Sequence, residues 1–266
     1  MTDNILNWEQ IDDSSFGSTT INIIATDNTI WVAAGEDGKL ATATNPTGTW
    51  TQRTSSFGSS FIKDIATDGT TWVAVGYDGK MATATDPTGT WTQRTTVDFQ
   101  GDFSGIATDG TIWVATAYDM MGGAVLITAP DPTSIWTERT SGFGSDNIQQ
   151  IATDGTIWVI VGNSGKTATA TDPTGTWTLL ANSGLDSLNC VVATKRNWVG
   201  VGWTGKLFTS IDPTSIWTQR TSSFGTTNIW SIATNGITWV AVGASGKMAI
   251  NTGDIKESFP MFLPNL

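Results

Sequence analysis

The sequence predicts an all-β chain folded as a six-bladed β-propeller, with four-stranded blades and an N-terminal strand that completes the last blade. Three observations carry this: two interleaved series of tryptophans, turn residues at fixed offsets, and chain ends that complement one another. One tryptophan recurs at Trp31, Trp72, Trp113, Trp158, Trp198 and Trp239, at spacings of 41, 41, 45, 40 and 41, in a W-V-x-x-G setting everywhere but Trp113, where Ala117 replaces the Gly. A second recurs at Trp8, Trp50, Trp91, Trp136, Trp177 and Trp217, at spacings of 42, 41, 45, 41 and 40. Of the 14 tryptophans, that leaves Trp203 and Trp230 outside the repeat. A fixed period of this length, with no sustained 3.6-residue periodicity, is the mark of propeller blades.

The second unit shows the elements in order. Phe61–Thr67, Thr70–Gly76, Lys80–Thr85 and Thr90–Thr95 are short runs rich in Thr, Val, Ile and Trp, which suit a pleated, half-buried surface. Asp68-Gly69 and Asp78-Gly79 supply residues that tolerate the positive φ of tight hairpins. Asp86-Pro87 opens the third connection with a fixed φ and no donor. The sixth unit has three strands, Ile229–Thr234, Ile237–Gly243 and Lys247–Thr252, and lacks the fourth. That strand is found at the other end of the chain, as Asn7-Trp8-Glu9-Gln10-Ile11, so ring closure removes two open edges. Residues 1–253 are thus expected to form the propeller, with strand 7–11 in blade six, and 254–266 an apolar tail.

The stretch Ala84-Thr85-Asp86-Pro87-Thr88-Gly89-Thr90-Trp91 recurs around Asn45, Asp131, Asp172 and Asp212. It resembles the Asp box of bacterial-neuraminidase repeat propellers, with Gly one position late, or replaced by Ser134 and Ser215. In that family the box is a structural turn away from the ligand face, so the resemblance implies fold rather than activity. Sialidases of that superfamily use an arginine triad and a tyrosine nucleophile, and no such constellation carries over here. Blades of this T-D-P-T-G-T-W type, with an apolar terminal peptide, are also similar to propellers of bacteriophage virion parts. That resemblance implies a structural, non-enzymatic role in a tail, fibre or baseplate, assembled in a host cytoplasm. A lectin-like carbohydrate binder and a cytoplasmic or photosystem-assembly scaffold are the rival expectations.

Composition narrows the chemistry. The chain has no histidine and one cysteine, Cys190, so Ser-His-Asp, Cys-His and His-zinc sites and intrachain disulfides are excluded. No metal and no cofactor is expected. A formal charge of −11 disfavours nucleic acid. No apolar run reaches the ~18 residues a membrane span needs, and residues 1–15 lack the apolar region of a signal peptide. An enzyme would need converging carboxylates, with Asp98, Asp102 and Asp119 the candidates on the ligand face; none is singled out.

Repeated residues are read as scaffold. Asp27, Asp68, Asp109 and Asp154, with Asp86, Asp131, Asp172 and Asp212, sit where turns need a side-chain acceptor, not as calcium ligands. Lys39, Lys80, Lys166, Lys206 and Lys247, and Arg53, Arg94, Arg139 and Arg220, are taken as solvated cations on outer strands, pairing with Asp or Glu, rather than an anion site. Phe16, Phe57, Phe99, Phe143 and Phe224 are expected to plug seams between blades, and Cys190 to be a small core residue. The fifth unit departs with Lys195-Arg196, in a turn read as one residue shorter.

Departures from the repeat supply the candidate contact residues. The third unit enlarges its top hairpin to Tyr118-Asp119-Met120-Met121-Gly122-Gly123, where a tyrosine and two methionines offer an adaptable contact. Trp203 stands where other units have Glu36, Tyr77, Asn163 and Ala244. Trp230 aligns with Asn22, Lys63, Ser104, Gln149 and Cys190, and the two indoles are expected to share a patch near the channel mouth. Trp203, Trp230, Tyr77, Tyr118, Met120 and Met121 are therefore the binding candidates, facing other proteins of an assembly or a host surface glycan. Phe259, Met261, Phe262 and Leu263 of the tail are expected to connect copies or partners.

Overall fold

A computed structural model describes residues 8–11, 14–94, 101–119, 123–180, 188–194 and 197–251. It contains six separate antiparallel sheets of four strands. Blade one is Ile21–Thr26, Trp31–Gly35, Leu40–Ala43 and Thr51–Arg53, and the others repeat that order outward from the channel. The sixth sheet is Ile229–Thr234, Trp239–Gly243 and Met248–Asn251, and its outermost strand is Glu9–Gln10. Glu9 pairs with Ile250 and Gln10 with Ala249, and the Ile11 N–H donates to the Met248 carbonyl at 2.9 Å. Ile21–Thr26 packs against Ile229–Thr234, which closes the ring.

The core is distributed over six seams, each shared by two adjacent blades. Trp72, Val32, Ile62 and Phe57 fill the seam between blades one and two, for example, and all are buried. Phe16, Phe57, Phe143 and Phe224 are each no more than 2% exposed, as seam plugs require; Phe99 lies outside the described residues. The last glycine of W-V-x-x-G has a steric cause. A side chain at Gly76 would run into the Phe61 carbonyl at the top of the neighbouring strand.

Cations close the seams from above. Lys80 Nζ donates to the Phe57 carbonyl at 2.8 Å and to Ser60 Oγ at 2.7 Å, and Lys39 does the same with Phe16 and Thr19. Lys166 bonds the Phe143 carbonyl and forms an ion pair with Asp146 at 2.7 Å. The expected pairing of these lysines with Asp or Glu is met by Lys166 and Asp146, while the solvated outer-strand placement is corrected: the ammonium groups of Lys39, Lys80 and Lys166 satisfy carbonyls of the blade-to-blade turn. Arg53, Arg94, Arg139 and Arg220 each donate Nε to a third-strand threonine at 2.8–3.0 Å.

Below, the turns follow one rule. Asp68 Oδ1 accepts from the Thr70 N–H, the Thr70 hydroxyl and the Thr71 N–H, and Asp27, Asp109 and Asp154 repeat the pattern. In the third connection Asp86 Oδ1 takes the Thr88 N–H and hydroxyl, while Trp91 Nε1 donates to the Pro87 carbonyl. Acceptors already committed to their own turn are scaffold.

The fifth blade needs a correction. Ala193 pairs with Trp198 as Thr234 pairs with Trp239, so its turn is not shortened. Ala193-Thr194 mimics the repeated Ala-Thr, but Thr194 occupies the aspartate's place, its hydroxyl accepting the Asn197 N–H at 3.0 Å. The missing residue falls before Leu188. Lys195 and Arg196 themselves are outside the described residues.

Candidate functional site

Each inner strand carries a bulge near the channel mouth. In blade six Ile229 pairs with Gly243 and Ser231 with Val242, which leaves Trp230 on the bulge. The same register places Asn22, Lys63, Ser104, Gln149 and Asn189 on the other bulges. Asn189, not Cys190, is thus Trp230's counterpart, for the reason that misplaced the fifth turn. Asn22 Nδ2 donates to the Ile62 carbonyl and Asn189 Nδ2 to the Ile229 carbonyl, both at 2.9 Å, stitching each blade to the next. Trp230 makes no such bond: its Nε1 is buried without a partner. Blade six spends this position on an aromatic surface.

Trp203 opens the hairpin of blade five and is 52% exposed. Its ring meets that of Trp230 edge to face, centroids 5.8 Å apart and planes at 75°. The two non-repeat tryptophans are therefore brought together, one exposed and one half-buried. The hairpin beneath is held in a left-handed turn, Thr204 at φ 54° and Gly205 at φ 70°. Asn228 of blade six fixes it, its Oδ1 accepting the Thr204 N–H at 3.0 Å.

Blades two and three build the opposite side of the mouth. Tyr77 opens the blade-two hairpin, stacks on Phe61 at 5.2 Å, and carries Lys63 Nζ over its ring at 5.5 Å. The Tyr118 hydroxyl, from blade three, bonds that of Tyr77. Burial, that hydrogen bond and the nearby Asp102 charge all raise the Tyr118 pKa, so it stays neutral. Asp102 Oδ1 accepts the Asp78 N–H at 2.8 Å, the counterpart of the Asn228 clamp. Asp119 accepts the Gly123 N–H at 2.8 Å. Burial lowers the Lys63 pKa, opposed by the charges of Glu36, Asp64 and Asp102. Met120, Met121 and Asp98, and the tail residues Phe259, Met261, Phe262 and Leu263, lie outside the described residues.

One layer below the mouth lies a ring that sequence reading missed: Ile23, Asp64, Gly105, Gln150, Cys190 and Ser231, one residue per inner strand. Its signal was variability, since the flanking isoleucine and Ala-Thr positions scarcely change. Asp64 is buried and accepts from the Ile106 N–H at 2.6 Å, the Ile65 N–H at 2.8 Å and the Gln150 side chain. Burial nevertheless prevails over these bonds and pushes its pKa up to about 7. Ser231 Oγ accepts the Ile24 N–H, joining blade six to blade one. Cys190 is buried, its thiol pushed up to about 12 mainly by burial, which makes it an inert packing residue. The inner strands enclose a cavity of ≈ 230 Å³.

Among the described residues no helix is long and apolar enough to cross a membrane. No family model and no curated protein matches the sequence. Solved structures match across nearly the whole chain. A YCF48 bound to a D1 peptide is 14% identical, with a TM-score of 0.66 over 96% of this chain and 99% of that one. YCF48 from Cyanidioschyzon merolae is 12% identical, with a TM-score of 0.61 over 92% and 98%. The WD40 β-propeller domain of Doa1 is 12% identical, with a TM-score of 0.64 over 90% and 95%. At these identities the likeness is one of fold.

Proposed function

We propose that the protein is a non-enzymatic interaction propeller, a scaffold whose top face holds a segment of a partner protein. The observation that carries this reading is the Trp203–Trp230 pair: a half-exposed indole braced by a second one, at positions free of the bonds that bind the ring. Rigid aromatic side chains on a preformed mouth lose little entropy on binding and anchor contacts efficiently. That a propeller of similar architecture is known bound to a peptide supports the same use of the fold. Placement in a phage particle, and connection through the 254–266 tail, are supported by the repeat resemblance and the tail's apolar sequence alone.

A lectin-like reading has one observation in its favour, since an exposed indole near Asn228 and Asn189 could stack a sugar. A paired experiment separates the two. Trp203→Ala, made alone and with Trp230→Phe, should abolish recovery of partner proteins in cross-linking mass spectrometry while leaving the melting temperature within a degree or two. Retention of every partner by the double variant would remove the top face from the function. Wild-type hits on a glycan array, lost in Trp203→Ala, would establish the sugar reading instead.

A further inference from the structure

The mouth has two chemically distinct sides. On blades five and six the Trp203 and Trp230 planes stand at 75° and form an open corner of indole. On blades one to three the exposed and half-exposed charges are mostly carboxylates. Glu36 and Asp37 form the blade-one hairpin, and Asp102 precedes the bulge of blade three. Glu36 and Asp102 lie within electrostatic reach of Lys63, which is half-buried against the Tyr77 ring. Among the described residues the hairpins and inner-strand tops of these blades carry Glu36, Asp37, Asp78, Asp102 and Asp119 against Lys39, Lys63 and Lys80, five carboxylates to three ammonium groups, and the chain as a whole carries −11. Lys39 and Lys80 point their ammonium groups at the blade-to-blade turns, where they bond carbonyl and hydroxyl oxygens.

Indole faces attract cations through the ring quadrupole, Arg and Lys stems pack on them, and a negative field draws such ligands in. Resting on the reading above, we propose that the partner segment held at this mouth is basic. One of its Arg or Lys side chains lies in the Trp203–Trp230 corner, and further cations reach toward Glu36 and Asp102. An acidic segment would meet repulsion on one side of the mouth. A purely apolar one would leave the carboxylate side without a partner.

The test uses the full chain and three synthetic peptides of equal length, rich in Arg and Lys, in Ser and Gly, or in Glu, followed by tryptophan fluorescence and calorimetry. The basic peptide should bind at least tenfold more tightly than the others and quench the indole emission. Trp203→Ala should weaken it about tenfold, Trp230→Phe less, and Glu36→Gln a few-fold with a shallower salt dependence. Equal binding of the basic and Glu-rich peptides overturns the proposal. So does an affinity that Trp203→Ala leaves unchanged, since that is diffuse attraction to an acidic surface. If a neutral or acidic peptide instead binds in a Trp203-dependent way, the basic preference falls and the mouth remains a protein-contact site.

Discussion

The lower rim and the upper mouth are made by turns of the same blades, yet one is uniform and the other varied. At the rim each first turn has backbone donors with no strand partner, and an Asp followed two residues later by Thr satisfies them in blade after blade. At the mouth the turn asks only for a residue that tolerates positive φ, followed by Gly. The position before it is left free, and it holds Glu36, Tyr77, Asn163, Trp203 and Ala244. Uniformity records a backbone requirement; variety records its absence, and there a site can be placed without weakening the ring.

The contrast is sharpest between two carboxylates four residues apart. Asp68 is on the rim. Partial burial raises its pKa, but the bonds from Thr70 and Thr71 more than compensate and hold it below the ordinary aspartate value of 3.8. Its stabilisation is therefore present above that pH and lost in acid. Asp64 sits within the channel with its pKa raised from 3.8 to about 7. The folded state binds its proton more tightly than the unfolded one. Its contribution is thus complete below about pH 4 and is lost as pH rises through about 7. The stability lost between about pH 4 and pH 7 is on the order of 4 kcal/mol. Urea midpoints measured from pH 4 to 8 should fall for the wild type and flatten for Asp64→Asn. That variant should also be less stable at pH 5, because the Ile65 and Ile106 N–H groups meet different carboxyl oxygens and the amide would set its NH2 donor against one of them. Identical slopes would mean that Asp64 is solvated through the channel.

Asp68→Ala is the smaller perturbation. Its turn is at the surface, where water replaces the lost acceptor, so the cost should be ~1 kcal/mol. Affinity at the mouth should not change, and a calorimetric titration beside the melting curve checks both. A loss of affinity would mean that rim and mouth are coupled.

How much of this was legible follows from the same contrast. Blade number, closure by the Trp8 strand, the phenylalanine seams and the aspartate turns were all readable because sterics and donor accounting repeat them. Trp203 and Trp230 could be found as exceptions to that repetition. Asp64 and Gln150 showed only as variable positions, because the groups that fix them, the Ile106 N–H and each other, lie on different blades. The fifth turn misled for a related reason. Thr194 can stand in for Asp as an acceptor, so a shifted Ala-Thr looked like a deletion.

The smallest expected effect tests whether Trp203's own turn follows the rule for the mouth. The left-handed residue is Asp37, Asp78, Ser164 and Ser245 in four hairpins, and Thr204, at φ 54°, in the fifth. A β-branched side chain is poorly suited to that region, whereas Asn enters it readily. Thr204→Asn should therefore stabilise the protein by up to ~1 kcal/mol, read as a small rise in melting temperature. Peptide affinity should stay within twofold, because the hairpin is oriented by Asn228 accepting the residue-204 N–H, which any residue but proline supplies. Asn228→Ala is the contrasting change. It removes that acceptor and should loosen the turn under Trp203, weakening binding several-fold with a smaller effect on stability. If Thr204→Asn instead weakens binding while raising stability, the strained turn itself contributes to the site, and the hairpin is not merely a free position that happens to carry an indole.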